Sequence, residues 1–150
     1  VGLRFFNVYG PREFYKDKTS SMVIQLAHQI LSGKAPRLFN NSNQIFRDFI
    51  YIEDVIKANI LACTAKKNGS FNVATGSPRS FQENADIIQK ELNTDLGTEY
   101  FSNPYQGYQM HTQANMSNSK KHLGFESVFT LEKGINAYIP EILKLHRNNT

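Results

Sequence analysis

The run Val1-Gly2-Leu3-Arg4-Phe5-Phe6-Asn7-Val8, closed by Tyr9-Gly10-Pro11, constrains the fold of this chain most. In an extended segment Val1, Leu3 and Phe5 lie on one face and Phe6 and Val8 on the other. A strand that is apolar on both faces belongs in a parallel sheet covered by helices. Val1 to Val8 is therefore expected to be a buried parallel strand, with Tyr9-Gly10-Pro11 as the turn that ends it. The chain opens on this strand with no Met, no polar lead-in and no signal-peptide pattern. It is expected to be the C-terminal part of something longer.

The remaining sequence alternates helical and extended patterns. Arg12 to Lys18 is polar and reads as a loop. Ser20 or Ser21 can cap a helix to about Leu31, with Met22, Leu26, Ile30 and Val23, Ala27, Leu31 at helical spacing and Gly33 as the stop. Pro36 to Phe39 predicts a short strand. Asn40-Asn41-Ser42-Asn43 is turn chemistry, and Gln44 to Ile52 predicts a second strand, so a hairpin can form here. Asp54 can cap a helix from Val55 to about Lys67, and Ser70 to Ala74 predicts another strand. Ser80-Phe81-Gln82-Glu83 is a capping box opening a helix to about Leu92. Thr98 to Phe101 predicts a strand, Asn103 to Met116 an irregular segment, and Ser117 a short helix ending near Leu123-Gly124. Thr130 can cap a last helix, whose apolar face is Leu131, Ile135, Tyr138, Ile142 and Leu145. Pro140 lies inside that helix and is expected to kink it. The fold class is α/β. Yet there is no G-x-G-x-x-G, so the phosphate-cradling half of a doubly wound nucleotide fold is absent.

Composition narrows the function. Over 150 residues, 40% hydrophobic and 20% charged content describes a folded domain, not a disordered one. No run reaches the roughly 20 apolar residues of a membrane span. The single Cys63 excludes an internal disulfide framework and a four-cysteine zinc site; it reads as a small packed hydrophobe, and a reducing, cytoplasmic setting is expected. His111, His122 and His146 lack metal-ligand spacing, so no metal is expected. The net charge of +4 is modest and dispersed, without a basic-aromatic motif, which argues against nucleic acid. Asp48 and Asp54 read as structural, Asp54 as a helix cap and Asp48 as a brace for Arg47.

Two stretches carry a resemblance: Arg4-Phe5-Phe6-Asn7-Val8-Tyr9-Gly10-Pro11-Arg12, and Arg47-Asp48-Phe49-Ile50-Tyr51-Ile52-Glu53-Asp54-Val55. With Phe71-Asn72-Val73-Ala74-Thr75-Gly76 and Ser80, they resemble the second half of the extended short-chain dehydrogenase/reductases, the nucleotide-sugar epimerases and dehydratases. Gly10 to Lys16, Ser21-Met22, His28, Pro36 to Phe39, Tyr108-Gln109 and Thr112-Gln113-Ala114 are similar to the ADP-heptose 6-epimerase branch. The resemblance implies a Rossmann-type fold. Residues 1–15 would be a late strand and loop of the nucleotide-binding domain, and residues 16–150 mainly a small mixed α/β substrate-binding domain with returning segments. It also implies NADP as cofactor, ADP-heptose (a lipopolysaccharide precursor) as substrate, a missing N-terminal half of the same chain as partner, and a homo-oligomer when full length. The sugar hydroxyl would be oxidised to a ketone and reduced from the other face.

Site residues follow from the same resemblance. Lys16 corresponds to the second acid–base residue and a cofactor contact, with Lys18 two residues on as competitor; the plainer reading is a solvated lysine. Val8 would lie against the nicotinamide and the amide of Asn7 on the substrate. Ser21 and His28 would be substrate contacts, Ser21 at a helix N-terminus suited to an anion. Phe39, Asn40, Asn41, Ser42 and Arg47 would form the nucleotide end, with Phe39 on the adenine and Arg47 as a planar fork for the diphosphate. Tyr108 would touch substrate. The family has Gly where this chain has Asn41, a residue that also tolerates positive φ. The Tyr-x-x-x-Lys of the family is absent, so this piece alone is expected to be inactive. Alternatives are another epimerase or dehydratase of the family, or a non-catalytic nucleotide-sugar module.

Overall fold

A computed structural model describes residues 1–148. Its strands are β1 (Gly2–Phe5), β2 (Asn7–Tyr9), β3 (Arg37–Phe39), β4 (Phe46–Arg47), β5 (Phe49–Tyr51), β6 (Ser70–Val73), β7 (Arg79–Ser80) and β8 (Glu99–Phe101). The helices are α1 (Met22–Leu31), α2 (Ile52–Cys63), α3 (Phe81–Glu91), α4 (Ser117–Leu123) and α5 (Leu131–Asn148). Pairing is parallel for β1 with β6, β2 with β5 and β3 with β8; β4 and β7 run antiparallel. The class is α/β, as the alternation of patterns predicts.

Three expectations about strands are corrected. The first strand is split at Phe6, so that β1 pairs with β6 and β2 with β5. It is also not buried: Leu3 alone of β1 packs against the second core described below, and Phe5 is 48% exposed. The hairpin after Phe39 does not form, since β3 takes β8 as its partner. The expected strand Gln44 to Ile52 is broken at Asp48, with Phe46-Arg47 turned to β7 and Phe49 to Tyr51 turned to β2.

Two cores result. Helices α1, α3 and α5 enclose the larger with Tyr9, Leu38, Ile45, Phe49 and Tyr51. The smaller gathers Ile50, Val55, Ala58, Phe71, Val73, Leu123 and Phe125. Strand alternation explains the division: Phe49 and Tyr51 of β5 enter one core and Ile50, pointing the other way, enters the second. Tyr9 donates from its hydroxyl to the Leu131 carbonyl at 3.4 Å. Gly134 permits that approach, since a Cβ there would collide with the Tyr9 hydroxyl.

Helix termini follow the sequence in part. Ser21 caps α1 by accepting from the Ile24 N–H, and Thr130 accepts from the Lys133 N–H at the start of α5. The Ser80–Glu83 capping box is complete, at 3.1 Å and 2.7 Å. Helix α5 continues through Pro140. Asp54 is not a cap. Helix α2 begins at Ile52, ends at Cys63, and carries Asp54 in its first turn. The Asp54 carboxylate accepts from the Val128 and Phe129 N–H groups instead, pinning the segment before α5. No helix among the described residues is long and apolar enough to cross a membrane.

Candidate active site

The end of β2 leads into a loop from Gly10 to Ser21 that separates two clefts. One, of about 220 Å³, is lined by Val8, Gly10, Tyr15, Lys16 and Ile52 among others. The other, of about 340 Å³, holds Phe14, Lys18, Ile24 and His28. Within the loop Tyr15 and Lys16 line the first cleft and Asp17 and Lys18 the second, so the two lysines are partitioned: Lys16 joins Val8, and Lys18 joins His28. Asn7 is exposed at the start of β2, where its N–H donates to the Asp48 carbonyl at 3.1 Å. Burial, reinforced by the charge of His146, lowers the pKa of His28. The rings of His28 and His146 lie 6.1 Å apart, linking α1 to α5.

The N-terminus of α1 differs from expectation. An anion already occupies it: the Glu13 carboxylate accepts from the Ser21 N–H at 2.7 Å and from the Ser21 hydroxyl at 2.7 Å. The Ser21 oxygen also accepts from Ile24. Its one proton is committed, so the hydroxyl can only accept from a ligand. A bound phosphate is not the partner this geometry favours.

A third cleft, of about 440 Å³, lies over Asn40, Asn41, Ser42 and Asn43, with Gln82 and Tyr100 as its wall. Asn41 adopts φ 62°, the left-handed conformation that glycine or asparagine takes with least cost. Ser42 is buried and donates to the Gln82 side-chain oxygen at 3.1 Å; the Tyr100 hydroxyl donates to the same oxygen at 2.8 Å. Phe39 does not line this cleft. It packs edge-on against Phe101 and Tyr108, at 5.0 Å and 5.4 Å, in an aromatic cluster.

Arg47 stands in that cluster. Its guanidinium lies between the rings of Phe81 and Tyr108, at 5.3 Å and 5.1 Å. It donates to the carbonyls of Phe46 at 2.8 Å and Gln109 at 2.6 Å. Only 9% exposed, it makes no ion pair among the described residues. The expected brace from Asp48 is absent. Asp48 instead accepts from Thr75 N–H and hydroxyl, Gly76 N–H and Ala114 N–H, at 2.6–3.1 Å. Alternation explains this: Asp48 sits between two differently paired strands and points away from Arg47. Arg47 is therefore a cation fixed by two carbonyls and two rings, with guanidinium donors that these carbonyls do not use.

The structure brings Val8 and Lys16 into one cleft, and Phe39, Arg47 and Tyr108 into one cluster. It joins Asn40, Asn41 and Ser42 in a third place, with Ser21 beneath the loop and His28 beyond it. Glu13 and Gln82 escape the sequence reading. An acid directly after Pro11-Arg12 is the available signal for Glu13; Gln82 offers none. Among the described residues no three His, Cys, Asp or Glu side chains gather as metal ligands.

A parallel-stranded α/β scaffold with clefts at the ends of its strands is the arrangement of the extended dehydrogenase/reductase epimerases. The NAD dependent epimerase/dehydratase family model matches residues 1–74. The whole chain is similar to Helicobacter pylori ADP-L-glycero-D-manno-heptose-6-epimerase, with 44% identity and a TM-score of 0.87 over 95% of this chain and 44% of that one. Thermotoga maritima UDP-glucose 4-epimerase, solved with UDP-glucose, follows at 26% identity and TM-score 0.85, over 95% and 45%. The Bacillus cereus UDP-glucuronic acid 4-epimerase, solved with UDP-glucuronic acid and NAD, gives 27% and 0.81, over 95% and 45%. The chain thus spans less than half of each, and corresponds to their C-terminal portion.

Proposed function

We propose that this chain is the substrate-facing part of a nicotinamide-dependent epimerase acting at C6 of an ADP-heptose. The observation that carries the reading is the cleft that unites Val8 with Lys16, an apolar wall beside an amine at the end of a parallel strand. The 44% identity with the H. pylori heptose epimerase, against 26% and 27% for the UDP-sugar enzymes, supports the choice of sugar nucleotide. Residues 1–15 would then belong to the nucleotide-binding domain and residues 16–150 mainly to the substrate domain, in an oligomer of the whole protein in the cytoplasm.

The cleft fits the nicotinamide end of NADP and nothing more of it. Val8 offers a ring-sized apolar contact and Lys16 a donor, whereas no glycine-rich phosphate loop is present. When bound, that cofactor accepts a hydride from the sugar carbon and returns it. Lys16 exchanges a proton with the sugar oxygen as the carbonyl forms and is reduced. Arg47 takes the diphosphate through its remaining guanidinium donors, and the Asn40–Ser42 turn offers hydrogen bonds to base or ribose. Asn7 and Tyr108 contact the substrate, His28 accompanies Lys18 in the neighbouring cleft, and Phe39 supports Tyr108.

The test is turnover of ADP-heptose by the whole protein. Lys16→Ala is expected to lower kcat by about 10²-fold or more, the scale of general acid–base catalysis. A mild effect there with severe impairment in Lys18→Ala moves the role to the His28 cleft. Epimerisation of a UDP-sugar at C4 with ADP-heptose untouched overturns the substrate assignment.

A further inference from the structure

The loop that carries Lys16 is closed by one side chain. Glu13 is 5% exposed, and its carboxylate accepts from Gly10 N–H at 3.3 Å, Ser21 N–H at 2.7 Å and Ser21 hydroxyl at 2.7 Å. Gly10 and Ser21 are the two ends of the loop. The Glu13 main chain continues the hold, its carbonyl accepting from the Lys16 N–H at 2.9 Å. The Lys16 carbonyl in turn accepts from the Thr19 hydroxyl at 2.7 Å. Lys16 is thus anchored on both sides of its own peptide units.

This hold works against a strained backbone. Arg12 and Asp17 both adopt left-handed φ, at 72° and 46°, without being glycine. Such residues cost free energy and persist where their surroundings over-determine them. Asp17 directly follows Lys16, so relaxation of its φ would swing the lysine away from Val8. The partners of the Glu13 carboxylate are polar N–H and O–H groups of the loop ends, and it lies at the positive end of α1. Its negative charge reaches the core. Burial first, and then Glu13, push the Tyr138 phenol far above its ordinary pKa.

We infer that Glu13 is a positioning residue, clamping Gly10 to Ser21 so that Lys16 is held over the Val8 cleft. The inference rests on the acid–base role proposed for Lys16. A carboxylate suits the task because three donors converge on it. Glutamine matches the shape but keeps one acceptor oxygen, and its NH2 opposes a donor. Displacement of a reacting group by about 1 Å can cost on the order of 10²-fold in rate.

The experiment is a mutant cycle in the whole protein with Glu13→Gln, Lys16→Ala and the double variant, measured at saturating and limiting substrate. Glu13→Gln is expected to lower kcat about 10-fold or more while KM changes by less than about 3-fold. In the Lys16→Ala background it should have little further effect, since a residue acting through Lys16 has nothing left to position. Multiplied losses in the double variant, a loss confined to KM, or unchanged kcat each overturn the clamp. If Glu13→Gln fails to fold, Glu13→Asp serves in the same cycle, since it keeps the charge but is too short to span both ends. Full turnover by Lys16→Ala alone removes the acid–base reading, and is seen without any Glu13 variant.

Discussion

The carboxylate of Asp48 accepts four hydrogen bonds, from Thr75, Gly76 and Ala114, while itself 0% exposed. It thereby joins the β4–β5 junction to the turn after β6 and to the irregular segment before α4. Asparagine at this position would set an NH2 group against donors that need lone pairs. Leaving a buried donor unpaired costs about 1–3 kcal/mol. Asp48→Asn is expected to lower unfolding free energy by roughly 2–4 kcal/mol, as read from the denaturant midpoint at unchanged slope. The same residue shows what a sequence conceals. Its charge and its neighbours Arg47 and Phe49 are visible, and an adjacent arginine is the obvious partner. The true partners lie at Thr75 and Ala114, reached only through tertiary pairing. Glu13 and Asp54 behave alike: each acidic residue is plain in the sequence, and its backbone donors are not.

Helix α3 is the element whose construction was most legible. Ser80 and Glu83 satisfy the first turn reciprocally, and Phe81, Ala85 and Ile88 recur on the buried face. Arg79, on the strand residue before the cap, adds ion pairs to Glu83 at 2.9 Å and Glu132 at 2.7 Å, tying the start of α3 to α5. Both pairs are partly solvated and worth little individually. The cap matters more: Ser80→Ala is expected to cost about 1 kcal/mol, measured as a fall in stability with helix content otherwise retained. Helices α1 and α5 were equally legible, since their caps and apolar spacing are local properties. Strand positions are written locally in the sequence, and strand pairing is not. Residues 37–39 and 99–101 each look extended, but nothing local says that they are partners. The turn chemistry after Phe39 pointed to a hairpin, and the parallel pairing with β8 prevailed because it lets Leu38 enter the core.

At the scale of the whole molecule, α1, α3 and α5 close over one core, and His28 and His146 meet where α1 and α5 approach. The folded state holds His28 below its ordinary value of about 6.5. The unfolded chain therefore binds this proton first as the pH falls. Stability should rise with pH across that window and decline below about pH 6.5, until the lowered folded value is passed. His28→Gln is expected to flatten this part of the curve of melting temperature against pH, with the region above pH 7 unchanged in slope. Site legibility followed the same division of scales. Val8, Lys16, Arg47 and Tyr108 are legible in motifs, whereas their division between one cleft and an aromatic cluster depends on how loops and strands pack.

The pairing register has a consequence for how this chain is made. No parallel pair joins neighbours in sequence: Gly2 waits for Ser70, Asn7 for Phe49 and Arg37 for Glu99. Strands β1 and β2 leave the ribosome well before β6 and β5, the partners they take within this segment. Non-local topologies of this kind fold slowly and expose sticky intermediates. The parallel order that places clefts at the strand ends thus also delays the closing of β1 on β6 until residues 70–73 have been made.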